Sequence, residues 1–286
     1  TKGRQGYIPA RDATVVSRLR QAGAILLGKT NTPELTLSFD TDNLIYGRTK
    51  NPYDLKRSPG GSSGGAAAAI SANSTPFDIG SDFGGSIRLP AHYCGITGIK
   101  PTSGRVPRTG HIYPFGGYLD HLQQLGPMAR HVHDLHPLLE IIAGPDEQDP
   151  AIIPMPLANP SSVKIEDLRV GFHTDNGIAT PTSETVQTIE HAAFLLEDTA
   201  RGVSEFCPGG FHLLSELCPA IYSSDGGAAV RRLLRAYGTR ESSPNSYSGN
   251  EPTGTEIDAI ISRWDKYRAA MQPTWNDFDV LLCPVN

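Results

Sequence analysis

Apolar residues recur at helical spacing at Val15, Val16, Leu19 and Ala22. This pattern predicts a helix that starts at Asp12 and is closed by Gly23, a residue free to take a left-handed cap. The apolar run at 24–27 predicts a short buried strand centred on Ile25. Residues 33–39 are apolar without a clear period, and 43–53 are turn-rich with a stop at Asn51-Pro52. The alanine-rich stretch 66–73 predicts a helix, and 77–79 and 95–99 predict strands. Such alternation of strands and helices predicts an α/β fold. An amphipathic helix runs to Ile142, and a loop rich in proline and acidic residues covers 146–160. Strands are then expected at 169–173, 203–206 and 278–283, with helices at 182–200, 213–237 and 255–275. The expected division is a core at 1–144 and a helix-rich, substrate-side remainder at 145–286. No internal repeat is present.

Composition narrows the partners. A chain of 286 residues, 38% hydrophobic, can bury a large core. Its net charge of −5 comes from well-mixed charges without a basic stripe. That argues against nucleic acid or an acidic membrane surface as the main partner. No apolar run approaches the ~20 residues needed to cross a bilayer. Cys94, Cys207, Cys218 and Cys283 form no CxxC pair and read as reduced core residues, not as a zinc site or a disulfide framework. His131, His133 and His136 resemble a metal cluster superficially, but helix positions 131 and 133 do not share a face. No signal peptide is visible, a chain expected to start in mid-fold does not exclude one, and the cytoplasm is the default expectation.

The chemistry concentrates in two glycine-flanked serine turns. The first is Gly60-Gly61-Ser62-Ser63-Gly64-Gly65, and the second is Asp82-Phe83-Gly84-Gly85-Ser86-Ile87-Arg88. Each leads into a helix-forming segment. A serine reached through glycines at a helix start is accessible, and the free N–H groups beside it point at an approaching anion. Acyl transfer needs both features, a nucleophilic hydroxyl and donors for the oxyanion. The first turn alone also reads as a flexible linker or a generic anion loop. Paired with an alanine-rich helix and a second Gly-Gly-Ser, it is far more specific. Asp82 and Arg88 flank Ser86 as hydrogen-bonding braces, since an always-charged arginine is a poor base.

These turns, with AGAILLGKTNTPE and NPYDLKRSPGG upstream and LGPMAR downstream, resemble the amidase signature family over most of the chain. The resemblance implies a central mixed, mostly parallel sheet flanked by helices, incomplete at both termini. It also implies a Ser–cis-Ser–Lys triad. Ser86 matches the acylated nucleophile, and Ser62 matches the serine after a cis peptide bond that relays the proton. Ser63, Asp82 and Arg88 support them. The N–H groups of Phe83, Gly84, Gly85 and Ser86 match the oxyanion hole. The family's lysine lies upstream of residue 1, and Lys2, Lys29 and Lys100 do not match it, so these 286 residues are expected to turn over no amide.

The implied function is hydrolysis of a carboxylic acid amide through a serine acyl-enzyme, with esters as a side activity. No cofactor or metal is implied. The expected partner is a small-molecule amide, without nucleic acid or membrane, and a homo-oligomer is left open. The pocket walls are expected at 35–39, 110–118 and 213–237. Two alternatives stand beside this reading: the amidase subunit of a tRNA-dependent amidotransferase, and a non-catalytic binding protein of the same fold.

Overall fold

The structure is a computed structural model that describes residues 1–112, 122–242 and 252–285. The chain folds as two compact units, Thr1–Leu157 with Ala229–Ser246, and Ala158–Ala228 with Tyr247–Asn286.

The first unit is built on a three-stranded antiparallel sheet of β1 (Phe77–Asp82), β2 (Thr97–Gly98) and β3 (Gln124–Ala129), in the order β1-β3-β2. Asp82 stands opposite Gln124, and Gly98 opposite Met128. Side chains alternate between faces, and each face collects its own core. On one side lie α1 (Thr14–Gln21) and, after α2 (Gly64–Ser71) and α3 (Arg88–Tyr93), α4 (Val132–Ile142). Val15 and Leu19 of α1 and Leu135, Leu138, Leu139 and Ile142 of α4 pack there with Leu125, Ala129 and Val106. On the other side α2 and α3 contribute Ala66, Ala67, Ile70 and Ala91 around Met128, Cys94 and Ile87. Each large apolar side chain buried this way stabilises by roughly 1.5–3 kcal/mol. Arg18 joins α1 to the open end of α4. Its guanidinium donates to the carbonyls of Ile142, Ala143 and Gly144 at 2.8–2.9 Å and of Pro145 at 2.7 Å, which suits the negative end of a helix.

The second unit holds the parallel sheet β5-β4-β6, made of β4 (Arg169–Phe172), β5 (Gly202–Glu205) and β6 (Val280–Leu282). Its helices are α5 (Ser183–Glu197), capped by Thr182, and α6 (Phe211–Tyr222). After α7 (Ala228–Ala236) come α8 (Gly254–Met271), opened by a Thr253/Glu256 capping box, and α9 (Thr274–Asp277). Among the described residues no helix is long and apolar enough to cross a membrane.

Several expectations need correction. Residues 24–27 are not a strand: Ile25 is 84% exposed, and Leu26 and Leu27 are exposed with it. Among the described residues the backbone of 25–28 finds no ladder partner, and apolar content alone does not make a strand. Conversely, β3 is a fully buried strand that the pattern concealed, because Gly126-Pro127 interrupts it. α1 starts two residues late, and Asp12 instead pairs with Arg20 at 2.7 Å. The helix expected at 213–237 is two helices, α6 and α7, separated where Gly226 and Gly227 take positive φ. The helix expected at 255–275 divides at Pro273. His131 lies at the N-cap of α4 rather than inside it, so its ring stacks on His133 at 5.3 Å. Of the cysteines only Cys94 is a core residue. Cys218 is half-buried, and Cys207 and Cys283 are exposed just past the ends of β5 and β6.

Candidate active site

The turn from β1 into α3 is wrapped around a carboxylate. Asp82 closes β1 and is wholly buried. Its oxygens accept the N–H groups of Gly85 at 2.8 Å, Ile87 at 3.1 Å and Arg88 at 3.3 Å. The Arg88 guanidinium adds Nε at 3.0 Å and Nη2 at 2.9 Å. Gly85 sits at φ +127°, a conformation that side chains other than hydrogen resist. Burial pushes the Asp82 carboxyl upward, but Arg88 and the N–H groups of Gly85 and Ile87 outweigh it and hold it below the usual carboxylate range. Held ionised by these donors, Asp82 organises the turn.

The first serine turn packs directly against the second. Ser62, Ser63 and Ser86 are all buried, and the Gly61–Ser62 peptide is cis. The Ser63 N–H donates to the Ser86 carbonyl at 3.1 Å. The Ser63 hydroxyl donates to the Ser81 carbonyl at 3.3 Å and accepts the Ser81 N–H at 3.2 Å, which fixes the start of α2 to β1. Thr41 Oγ1 donates to the Gly60 carbonyl at 2.8 Å. Gly61 has no room for a side chain, since a Cβ there would stand 2.6 Å from the Ser38 carbonyl oxygen. Among the described residues the hydroxyls of Ser62 and Ser86 make no hydrogen bond with each other or with any third group.

Of the four N–H groups named from the sequence, that of Gly85 is turned inward onto Asp82. Those of Gly84 and Ser86 make no hydrogen bond among the described residues. Phe83 is half-buried at the same turn. The N–H groups on either side of Gly85, in the turn that carries the Ser86 hydroxyl, are thus without a hydrogen-bond partner among the described residues.

The three lysines occupy different environments. Lys2 pairs with Glu241 at 2.6 Å, and Lys29 lies on the exposed segment after α1. Lys100 is half-buried just past β2. Burial lowers its pKa, the charge of Asp82 raises it, and that of Arg88 lowers it again, for a net decrease. Lys100 follows Ser86 in the sequence, and the β2–β3 register that brings it back toward Asp82 is legible only once β3 is recognised as a strand.

The expected pocket walls fare unevenly. Leu35 is buried against Val230 and Leu233 of α7 and so is a core residue, while Phe39 is 54% exposed. Residues 113–118 of the 110–118 segment lie outside the described residues. Among the described residues no group of three His, Cys, Asp or Glu side chains is placed to hold a metal ion.

In sequence and fold the chain is similar to known proteins. The amidase family model matches residues 1–286. A glutamyl-tRNA(Gln) amidotransferase subunit from Saccharolobus solfataricus is 38% identical over 218 residues, 74% of this chain and 45% of that protein. The chain thus spans about half the length of this curated relative. The solved structure of 6-aminohexanoate cyclic dimer hydrolase superposes with a TM-score of 0.84 at 30% identity, covering 98% of this chain and 62% of that one. A bacterial aryl acylamidase of the amidase signature enzymes superposes with a TM-score of 0.79 at 25% identity, over 96% of this chain and 59% of its own.

Proposed function

Because the chain belongs to the amidase family, whose model it matches from residue 1 to residue 286, we propose that it hydrolyses a carboxylic acid amide through a serine acyl-enzyme. The observation that carries this reading is the Ser63 N–H to Ser86 carbonyl bond, which seats the two buried serine turns against each other. Ser86 Oγ attacks the amide carbonyl. The oxyanion is received by the N–H groups of Gly84 and Ser86, and one such donor is worth about 2.7–4 kcal/mol in the transition state. Ser62 relays the Ser86 proton and returns it to the leaving amine, and water then resolves the acyl-enzyme. Relay requires a base beyond Ser62, a role the family resemblance gives to a lysine that Lys2, Lys29 and Lys100 do not match. The substrate is a small-molecule amide, and the matching ester is a side activity because its leaving group needs less help.

A second reading has support of its own: the relative from S. solfataricus belongs to a glutamyl-tRNA(Gln) amidotransferase. The same serine chemistry would then release ammonia from an amide for use by partner subunits.

The test is made on the complete reading frame that carries residues 1–286. A fluorophosphonate should label Ser86, and Ser86→Ala should abolish labelling. Turnover of an aryl amide without partners supports the hydrolase. Turnover of glutamine that rises only with partner subunits supports the amidotransferase. A label on Ser62 or Ser63, or none on a folded protein, would overturn the assignment of Ser86.

A further inference from the structure

One face of the β1-β3-β2 sheet has no side chains at the point where the nucleophile turn crosses it. Gly80 in β1, Gly98 in β2 and Gly126 in β3 open toward that face, one from each strand. One side chain reaches into all three spaces. A Cβ at Gly80 would stand 2.9 Å from Ile87 Cγ1, one at Gly98 2.7 Å from Ile87 Cγ2, and one at Gly126 3.1 Å from Ile87 Cδ1. Ile87 is wholly buried and directly follows Ser86. Its N–H is bound to Asp82.

We propose that Ile87, held in this three-glycine socket, is the positioning residue that sets where Ser86 and its N–H stand. This inference rests on the reading of Ser86 as nucleophile. The physical basis is that Ser86 has soft backbone torsions on both sides, and its flanks must be fixed independently. Asp82 fixes the polar side through the N–H groups of Gly85 and Ile87. The socket fixes the apolar side. A β-branched side chain has few rotamers, so gripping all three of its outer carbons also fixes the backbone that carries it. A generic close approach of α3 to the sheet would not need all three glycines to meet the same residue.

The glycines differ as test sites. A Cβ at Gly126 would also meet the Ile99 carbonyl oxygen at 2.0 Å, and one at Gly80 would meet Ser63 Oγ and Met128 Sδ at 2.8 Å. At Gly98 only Ile87 is crowded, because the next atoms, in Ala91 and Met128, stand at 3.5 and 3.6 Å. Gly98→Ala therefore presses on Ile87 almost alone. Ile87→Val removes the methyl at the Gly126 end and lets the side chain retreat from the methyl group introduced at position 98.

The experiment uses the complete reading frame, with Gly98→Ala, Ile87→Val and the double variant. Two quantities are measured: the rate of fluorophosphonate labelling at Ser86, and hydrogen exchange of the peptide spanning 83–90. Gly98→Ala should slow labelling by about 10- to 100-fold, the cost of misplacing a reacting group by up to an ångström, and speed exchange in that peptide. The double variant should recover most of both losses. A thermal melt identifies loss of fold, and if Gly98→Ala does not fold, Ile87→Ala with an unfilled socket is used and should show the same two changes. Labelling and exchange unchanged in Gly98→Ala, or losses that simply multiply in the double variant, would overturn the proposal. Were wild type itself not labelled, the assignment of Ser86 would fail, and hydrogen exchange would still decide whether the socket holds the turn.

Discussion

Replacing Asp82 by asparagine tests the site's central claim, that a buried ionised carboxylate builds the turn that carries Ser86. The exchange is nearly isosteric, so it changes charge and donor pattern with little change in volume. One oxygen remains and can still receive the Gly85 N–H now held at 2.8 Å. The other becomes an amide group whose own hydrogens face the donors of Ile87 and Arg88. The Arg88 side chain is 48% exposed and turns to solvent, so its loss counts for little. The Ile87 N–H is buried with its residue and loses its acceptor. A hydrogen bond to a charged group is worth about 1.5–3 kcal/mol, and an unsatisfied buried donor costs about 1–3 kcal/mol. Together these predict a loss of about 3 kcal/mol, at the lower end of the range for breaking a buried charged pair.

Urea unfolding of wild type and Asp82→Asn at pH 7 measures this loss, and the pH series gives its origin. Because the folded-state pKa of Asp82 is lowered, the carboxylate's contribution is fully present above its unfolded value of about 3.9. It is lost as pH falls through the folded value below that. The difference between the two proteins should therefore be flat above about pH 5 and shrink as the medium is acidified further. A difference under about 1 kcal/mol at neutral pH, or one that does not narrow in acid, would refute the reasoning. Labelling of Ser86 should fall with the turn's order, by about tenfold or more.

Four other outcomes follow from the same structure. Ser62→Ala should leave a slow residual labelling of Ser86, since the proposed relay gives Ser62 a proton to move and no covalent bond to form; labelling at the wild-type rate would remove it from the relay. Asp149→Ala strips the carboxylate from Arg108, in a pair whose side chains are 3% and 0% exposed, and should cost about 3–5 kcal/mol in urea unfolding. Burial, reinforced by the charge of Arg108, lowers the His111 pKa to about 4. Between that value and about 6.5 the unfolded chain binds the proton more readily, so stability should rise with pH across this window; a His111→Asn variant should lack that rise in a paired melt series. Ile25→Lys should change stability by no more than about 0.5 kcal/mol, as expected for an exposed position; a loss of several times that would mean that residues 24–27 are buried after all.

The turn at 82–88 is far more legible in the sequence than the framework around it, and the reason is the range of the interactions. Every donor to Asp82 comes from within six residues, so the turn of 82–88 is a local object whose identity survives in a short string. The glycines read as permissive turn residues for the same reason, since Gly85 needs its positive φ whatever lies elsewhere. The donor count was not legible. A string of N–H groups from 83 to 86 looks like a uniform hole, and only the position of the Asp82 oxygens shows that Gly85 is already engaged. Lys100 is less legible because its approach to Asp82 depends on β3, a strand distant in sequence from the turn that pairs with both β1 and β2.

Strands were misread in both directions, and the two errors have one physical cause. A strand is stabilised by its neighbours more than by its own composition. Residues 24–27 have the composition and, among the described residues, no ladder; β3 has a proline and a glycine at its centre and a ladder on each side. In β3 the composition is explained by what crosses it. Gly126 lies under Ile87 and against the Ile99 carbonyl, where a side chain would not fit, and Pro127 gives up only its own N–H while its carbonyl still receives that of Ile99 at 3.1 Å. The residues that make β3 a poor strand on propensity are the ones that let the Ser86 turn rest on it. The same exchange of local propensity for close approach accounts for Gly80 and Gly98. The sheet beneath Ser86 thus departs from strand-forming composition at the positions where a side chain would lift the turn. A methyl group added at Gly98, where Ile87 alone is crowded, should cost reactivity more steeply than it costs the melting temperature.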